Sequence, residues 1–262
     1  MSDEEFSLDD VVAFETGDGS MTLHDRERNI HYRSRHGAIQ ESKHVFLEGT
    51  DIAGRDGIWR VVELGFGAAV NFVQTVEAFR ASPRAIRLVY HSVDWRPVTP
   101  EHLDFYGEIE ESDDDEELVP KGPRWARQAL EAVHGGQGPV ATVESEDQRV
   151  VLHLHAKPWE EAQLTGLGAQ AFYQDPFSKR VNPESWTADS FKRAKKAMAT
   201  DGRLATYSAA TSVKTALFEA GFSVASASGP GRKREMTVAS PSKSALERDE
   251  RLELLERGKY LG

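Results

Sequence analysis

Val61-Val62-Glu63-Leu64-Gly65-Phe66-Gly67 decides the reading of this chain. It is the end of a short apolar strand, Trp59–Leu64, running directly into Gly-x-Gly. A nucleotide-like ligand approaches the backbone at the C-terminal edge of such a strand, and only glycine leaves room there. The pattern lacks the third glycine of a dinucleotide fingerprint, and no Gly-Lys-Ser/Thr supplies a phosphate loop. That favours a ligand without a pyrophosphate, such as S-adenosylmethionine. Another nucleotide, or a plain tight turn with no ligand, stays open on these residues alone.

Outward from this strand the chain alternates strand and helix. Helical spacing runs through Ala68–Phe79, Trp125–His134, Ala188–Met198 and Thr211–Ala220, and a helix starts at Pro97–Phe105. Strands are expected at Ile86–His91, Arg149–His155, Gln170–Gln174 and Arg203–Tyr207. Phe222–Ala227 and Glu235–Ala239 flank a Gly229–Arg232 turn, too short for a crossover helix, so they should pair antiparallel. The expectation is an α/β fold: a doubly wound, mostly parallel seven-stranded sheet of the Rossmann-like class I methyltransferase kind, ending in an antiparallel hairpin. Residues 1–50 read as a small N-terminal hairpin and helix, with Gly17-Asp18-Gly19 as the turn. Residues 51–243 form the main domain, and 244–262 a terminal helix over Ser244–Arg257.

Composition narrows the function classes. No apolar run approaches the ~20 residues of a membrane helix, and the acidic start MSDEEFSLDD has no signal-peptide core. Cysteine is absent, which removes disulfides, thiolate nucleophiles and cysteine zinc sites. A cytoplasmic location is the expectation. The net charge of -11 is unevenly spread. Residues 108–117 (EIEESDDDEE) hold 8 acids in 10 positions and read as a solvated insertion. From Asp175 to Lys243 there are 12 Lys/Arg against 6 Asp/Glu, so a basic third remains for phosphate contact.

Further candidates follow the strands. Asp94, just past the second strand, suits the ribose hydroxyls of a nucleoside, or else caps the loop before Pro97. Asp175 follows a core strand, where ligands sit in open α/β sheets. Methylating an amine requires a free lone pair on nitrogen, and a carboxylate beside an alkylamine orients it and accepts its proton. Asp175 is the candidate for that role, with a turn-stabilising Asp as the alternative. Phe177 and Trp186 are candidates to stack on a base, or are core residues. Arg232, Lys233 and Arg234 on a turn suit phosphate contact, and Lys179 and Arg180 extend that surface. His153 and His155 share one strand face, but no further ligand completes a metal set, so no metal is expected.

Taken together, these segments resemble the methyltransferase domain of the MnmC family. The resemblance covers about Tyr32 to Ala239. It includes Tyr32-Arg33-Ser34 with Gly37 and Glu41 before Val45-Phe46-Leu47, and Glu63-Leu64-Gly65-Phe66-Gly67 with Asn71-Phe72. It continues through Ser92-Val93-Asp94, Asp175-x-Phe177, Asn182-Pro183-x-x-Trp186 and Gly202-x-Leu204-Ala205-Thr206-Tyr207-Ser208. It ends with Ala220-Gly221-Phe222 and Gly231-Arg232-Lys233-Arg234-Glu235-Met236, the stretches that general methyltransferases do not share.

The resemblance implies methyl transfer from S-adenosylmethionine to 5-aminomethyl-2-thiouridine at the tRNA wobble position. It implies cofactor contacts at Glu41, Glu63, Gly65, Phe66, Gly67, Asp94, His155 and Asp175, and an anticodon stem-loop as partner. The bifunctional family members add a flavin oxidase for which this chain has no room. The expectation is therefore no FAD, a precursor made by a separate enzyme, and a monomer or weak homo-oligomer. The sequence departs from the family at Pro176, where Gly or Ala is usual, at Asp94 for Glu, and at Leu154-His155-Ala156 for Gly-Asp-Ala. The alternative readings are a methyltransferase for a small-molecule amine and a non-catalytic tRNA-binding protein whose cofactor site has decayed.

Overall fold

The computed structural model describes residues 8–107, 121–230 and 235–261. The acidic block 108–117 and the bases Arg232, Lys233 and Arg234 lie outside the described residues. The chain opens with β1 (Val11–Glu15), β2 (Met21–Asp25) and β3 (Ile30–His31), paired antiparallel in that order. Asp18 closes the first turn, accepting the Ser20 N–H at 3.0 Å and the Thr16 hydroxyl at 2.8 Å. Next, α1 (Ala38–Glu41) widens into a π-helical segment, Ser42–Glu48.

The βα alternation then begins with β4 (Gly57–Leu64), α2 (Val70–Ala81), β5 (Ala85–Val93) and α3 (Lys121–His134). It continues through β6 (Val140–Glu144), β7 (Val150–His155), β8 (Ala169–Gln174), α4 (Ala188–Ala197) and β9 (Met198–Thr206). It closes with α5 (Thr211–Glu219), β10 (Ser223–Ala227), β11 (Met236–Ser240), α6 (Ser244–Glu247) and β12 (Glu253–Leu254).

Among the described residues the main sheet has nine strands, in the order β12-β10-β11-β9-β8-β4-β5-β7-β6. The central run β9-β8-β4-β5-β7 is parallel, and both flanks are antiparallel. The parallel strands are apolar because helices cover the sheet: β8 reads AQAFYQ, with Phe172 and Tyr173 fully buried. Two apolar clusters result. One joins Trp59, Phe72, Phe79 and Trp125 beneath α2 and α3, and the other joins Phe172, Phe191, Leu204 and Leu217 beneath α4 and α5.

The structure differs from the sequence expectation in three places. The sheet has two strands more than seven, because β6 and the two-residue β12 extend its edges. The stretch expected as a terminal helix holds only the four-residue α6 before the chain turns to pair β12 with β10. At Pro97–Phe105 the chain forms a short 3-10 turn, Pro100–Tyr106, rather than a long helix. Each is an edge or connecting segment, where a neighbouring strand or turn outweighs weak local propensity.

Candidate active site

Strand order places the site. β4 lies between β5 and β8, so the chain winds outward in both directions from it, and the carboxyl ends beside it form a crevice. Leu64 pairs with Gln174 on one side and Val93 on the other. The residues that follow, Gly65, Asp175 and Asp94, therefore emerge together. Gly65 has φ +97°, and a Cβ on it would lie 2.6 Å from the Asp175 carbonyl oxygen. A Cβ on Gly67, φ +50°, would lie 3.3 Å from the Tyr32 ring. The neighbouring backbone thus requires glycine at Gly65, while at Gly67 the left-handed φ and the close Tyr32 ring favour it.

Above this crevice opens a cavity of about 920 Å³. Its walls include Gly65, Phe66, Gly67, Asp94, Trp95, Asp175, Phe177, Arg180 and Tyr207 from the main domain. The segment from Asp25 to Ser34, together with Glu41, contributes Arg28, Asn29, His31, Tyr32 and Arg33 to the opposite wall. The N-terminal segment, which reads as an appendage in the sequence, therefore forms part of the site.

The floor is a buried polar network. Asp175 Oδ2 pairs with Arg33 Nη2 and accepts Asn71 Nδ2 at 2.9 Å. Asn71 Nδ2 also reaches Glu63 Oε1 at 2.9 Å, and Ser92 Oγ donates to Glu63 Oε2 at 2.7 Å. Glu41 Oε2 accepts the Ser34 N–H at 2.9 Å. Three buried carboxyls, Glu41, Glu63 and Asp175, thus surround one buried guanidinium, Arg33. Burial pushes the Glu63 carboxyl up to about 7, against the hydrogen bond from Ser92 and the charge of Arg33. Burial also pushes Asp175 well above the ordinary carboxylate range; Arg33 opposes this, and Glu63 and Glu41 reinforce it. Three carboxyls around one guanidinium favour a cationic ligand, whose charge would draw these raised carboxyls back towards their ionised forms.

The expected site residues divide into those the cavity gathers and those it does not. Gly65, Phe66, Gly67, Asp94, Glu41, Asp175, Phe177 and Arg180 line it. Asp94 is bonded to the glycine turn: Oδ2 accepts the N–H groups of Phe66 at 3.0 Å and Gly67 at 3.2 Å. Glu63 lies beneath the cavity floor, fully buried, and acts on it through Asn71. The His155 side chain does not line the cavity, because its Nε2 lies 3.1 Å from His91 Nδ1 within a row of rings with His153. Trp186 is core, its Nε1 donating to the Phe177 carbonyl at 2.8 Å. Lys179 is exposed and off the cavity wall. Among the described residues no group of three or more His, Asp or Glu converges as a metal site.

The sequence reading did not single out Arg33, Asn71, Trp95 or Tyr207 as site residues. Tyr207 donates to the Pro176 carbonyl at 2.9 Å and closes the wall behind Asp175. Trp95 is 53% exposed at the cavity mouth, with the Arg96 guanidinium 4.6 Å from its ring centroid. Arg33, Asn71 and Tyr207 stand in the stretches that carry the family resemblance, which gave them no role, and Asn71 stands at the start of a largely apolar helix.

S-adenosylmethionine fits this site on its chemistry. It carries a sulfonium cation, which the excess of buried carboxyls favours. The volume lies at the upper end of the range for enclosed small-molecule sites. Glu41, Asp94, Asp175 and the backbone of Gly65–Gly67 are the residues placed to hold it.

Comparison with known proteins agrees. Residues 120–242 match the family described as S-adenosyl-L-methionine-dependent methyltransferase. The tRNA 5-methylaminomethyl-2-thiouridine biosynthesis bifunctional protein MnmC of Cupriavidus metallidurans is 35% identical over 215 residues, 79% of this chain and 31% of that protein. Its counterpart in Ralstonia nicotianae is 31% identical over 235 residues, 80% of this chain and 31% of that protein. The chain spans about a third of the length of these relatives. The crystal structure of MNMC2 from Aquifex aeolicus superposes with a TM-score of 0.65 at 25% identity, covering 94% of this chain and 77% of that one. The chain therefore belongs to the S-adenosyl-L-methionine-dependent methyltransferases, in the family of the methyltransferase part of MnmC.

Proposed function

We propose that this chain N-methylates 5-aminomethyl-2-thiouridine at the wobble position of tRNA, giving the 5-methylaminomethyl form. The observation that carries the reading is the floor of the cavity, where Asp175 stands among surplus buried carboxyls at the carboxyl edge of β8. The naming of the bifunctional relatives for 5-methylaminomethyl-2-thiouridine biosynthesis supports the choice of substrate.

When bound, S-adenosylmethionine supplies a methyl group on an electrophilic sulfonium. The protein's share is to present the amine with its lone pair free. The aminomethyl nitrogen arrives protonated, because an alkylammonium has a pKa near ~10.4. Asp175 Oδ2 is held by Arg33 and Asn71, while Oδ1 has no partner among the described residues. Oδ1 receives the ammonium, fixes its direction and accepts the proton, directly or through water. Burial raises the basicity of this carboxyl and so narrows the mismatch with the amine. Phe177, with Tyr32 edge-on at 4.9 Å, forms an aromatic wall for the uracil ring. Fixed placement lowers the barrier further.

The direct test is incubation with S-adenosylmethionine and tRNA bearing the aminomethyl group, followed by nucleoside mass analysis. A gain of one methyl on that nucleoside is the expected result. No gain, with cofactor binding intact by calorimetry, sinks the reading.

A further inference from the structure

One face of the N-terminal sheet carries a second aromatic surface, partly exposed at Phe14, His24 and His31. Pairing places Val12 opposite His24, Phe14 opposite Thr22, and His24 opposite His31, so these residues share one face. Val11 and Leu23 alternate to the other face and are buried in the main core. On the first face Thr22 is buried, and the partly exposed His24 and His31 rings stack at 4.1 Å between centroids, 10° from parallel. Phe14 packs edge-on against His31 at 4.7 Å. The exposed Arg35 lies 6.0 Å from the Phe14 centroid and makes no ion pair with the described residues. His31 and the adjoining Arg28 and Asn29 also line the active cavity. The surface is therefore continuous with the cavity mouth.

Partly exposed rings on a sheet, bordered by an unpaired guanidinium, match single-stranded RNA. Bases stack on the rings, and phosphates meet the cation. Burial of the His31 ring, together with the charges of His24 and Arg35, lowers its pKa and keeps it a neutral stacking partner. We propose that this face, built from Phe14, His24, His31 and Arg35, binds the loop nucleotides flanking the base held in the cavity. The inference rests on the tRNA reading above and adds the surface that recognises the loop. It also gives the N-terminal sheet a role that its stability alone does not require.

The test measures binding of a synthetic anticodon stem-loop RNA carrying 5-aminomethyl-2-thiouridine to the full chain, with calorimetric S-adenosylmethionine binding as the control for folding. Phe14→Ala should weaken RNA binding about tenfold, the scale of one lost base stack. Arg35→Glu, a surface change that leaves the core untouched, should weaken it and flatten its salt dependence. Cofactor affinity should stay unchanged in both. RNA affinity within twofold of wild type in both variants overturns the inference, as does a wild-type protein that does not bind the stem-loop. If the variants lose RNA binding but the wild type transfers no methyl group to bound RNA, the surface stands and the substrate reading fails.

Discussion

Arg33 Nη2 is ion-paired with Asp175 Oδ2, joining the segment after β3 to the carboxyl end of β8 across the floor of the cavity. Both side chains are buried, at 5% and 7% exposure. Removing one member of such a pair leaves an uncompensated buried charge, which costs about 3–5 kcal/mol. Arg33→Ala should therefore lower the urea unfolding free energy by that order at pH 8. The loss should be smaller at pH 5, where Asp175 and Glu63 take up protons without their counter-ion. An equal loss at both pH values would remove the electrostatic explanation.

Asp175→Asn keeps the shape and the hydrogen bond from Asn71 but cannot accept the proton. Its rate of methyl transfer should fall by about 10²–10⁴, the usual contribution of a positioned base. Cofactor affinity by calorimetry should change only a few-fold. A variant with full activity would show that the proton leaves by another route.

Sequence and structure agree where the signal is local and periodic. The β4 strand, its glycine turn and the alternation through β9, apart from β6 and the 3-10 turn after β5, were legible because apolar runs and glycines mark them directly. The location of Asp175 beside Gly65 followed from topology alone: both end strands that neighbour each other at the switch point. Arg33 and Asn71 were not legible, because their partners lie far off in sequence and no spacing rule links them. His155 was expected to contact the cofactor. Yet strand pairing puts His153 directly opposite His91 and brings the His155 ring onto the His91 ring, an arrangement invisible without the register.

Glu63 carries a pH-dependent cost. Its carboxyl is raised from 4.5 to about 7 by burial. Between those values the folded chain holds a proton that the unfolded chain has released. Stability should therefore fall as pH rises from about 4.5 to about 7, then level off. Glu63→Gln keeps the acceptor for Asn71 without the charge. At pH 8 it should be more stable, by at most on the order of 3 kcal/mol at ~1.36 kcal/mol per unit. Thermal unfolding from pH 5 to 8 checks this, and an undiminished slope in the variant refutes it.

The histidine row acts with the opposite sign. Burial and neighbouring imidazoles push His91 down to about 3 and His155 down to about 4. Both stay neutral in the folded chain while the unfolded chain charges below 6.5, so they draw stability away as pH falls from about 6.5 to about 4. His155→Ala should soften that acid loss. Because the side chain lies off the cavity, S-adenosylmethionine affinity should stay within about twofold of wild type. A tenfold loss of affinity would return His155 to the cofactor site.

Gly65 is where the fold and the site constrain each other most tightly. Its φ of +97° is strained for any residue with a Cβ, and that Cβ would sit 2.6 Å from a carbonyl oxygen that cannot swing away. Gly65→Ala should cost on the order of 3 kcal/mol from strain and overlap. The relaxation that relieves the overlap must push the Asp175 backbone away from β4, and Arg33 with Asn71 would lose their hold on the carboxylate. Gly19 makes the control: it also has positive φ, +79°, but its Cβ would meet nothing within 4 Å. Gly19→Ala should therefore lose only the conformational part and retain methyl transfer. If both alanine variants unfold at the same urea concentration and keep the same activity, the close contact between Gly65 and Asp175 does not set the geometry of the site.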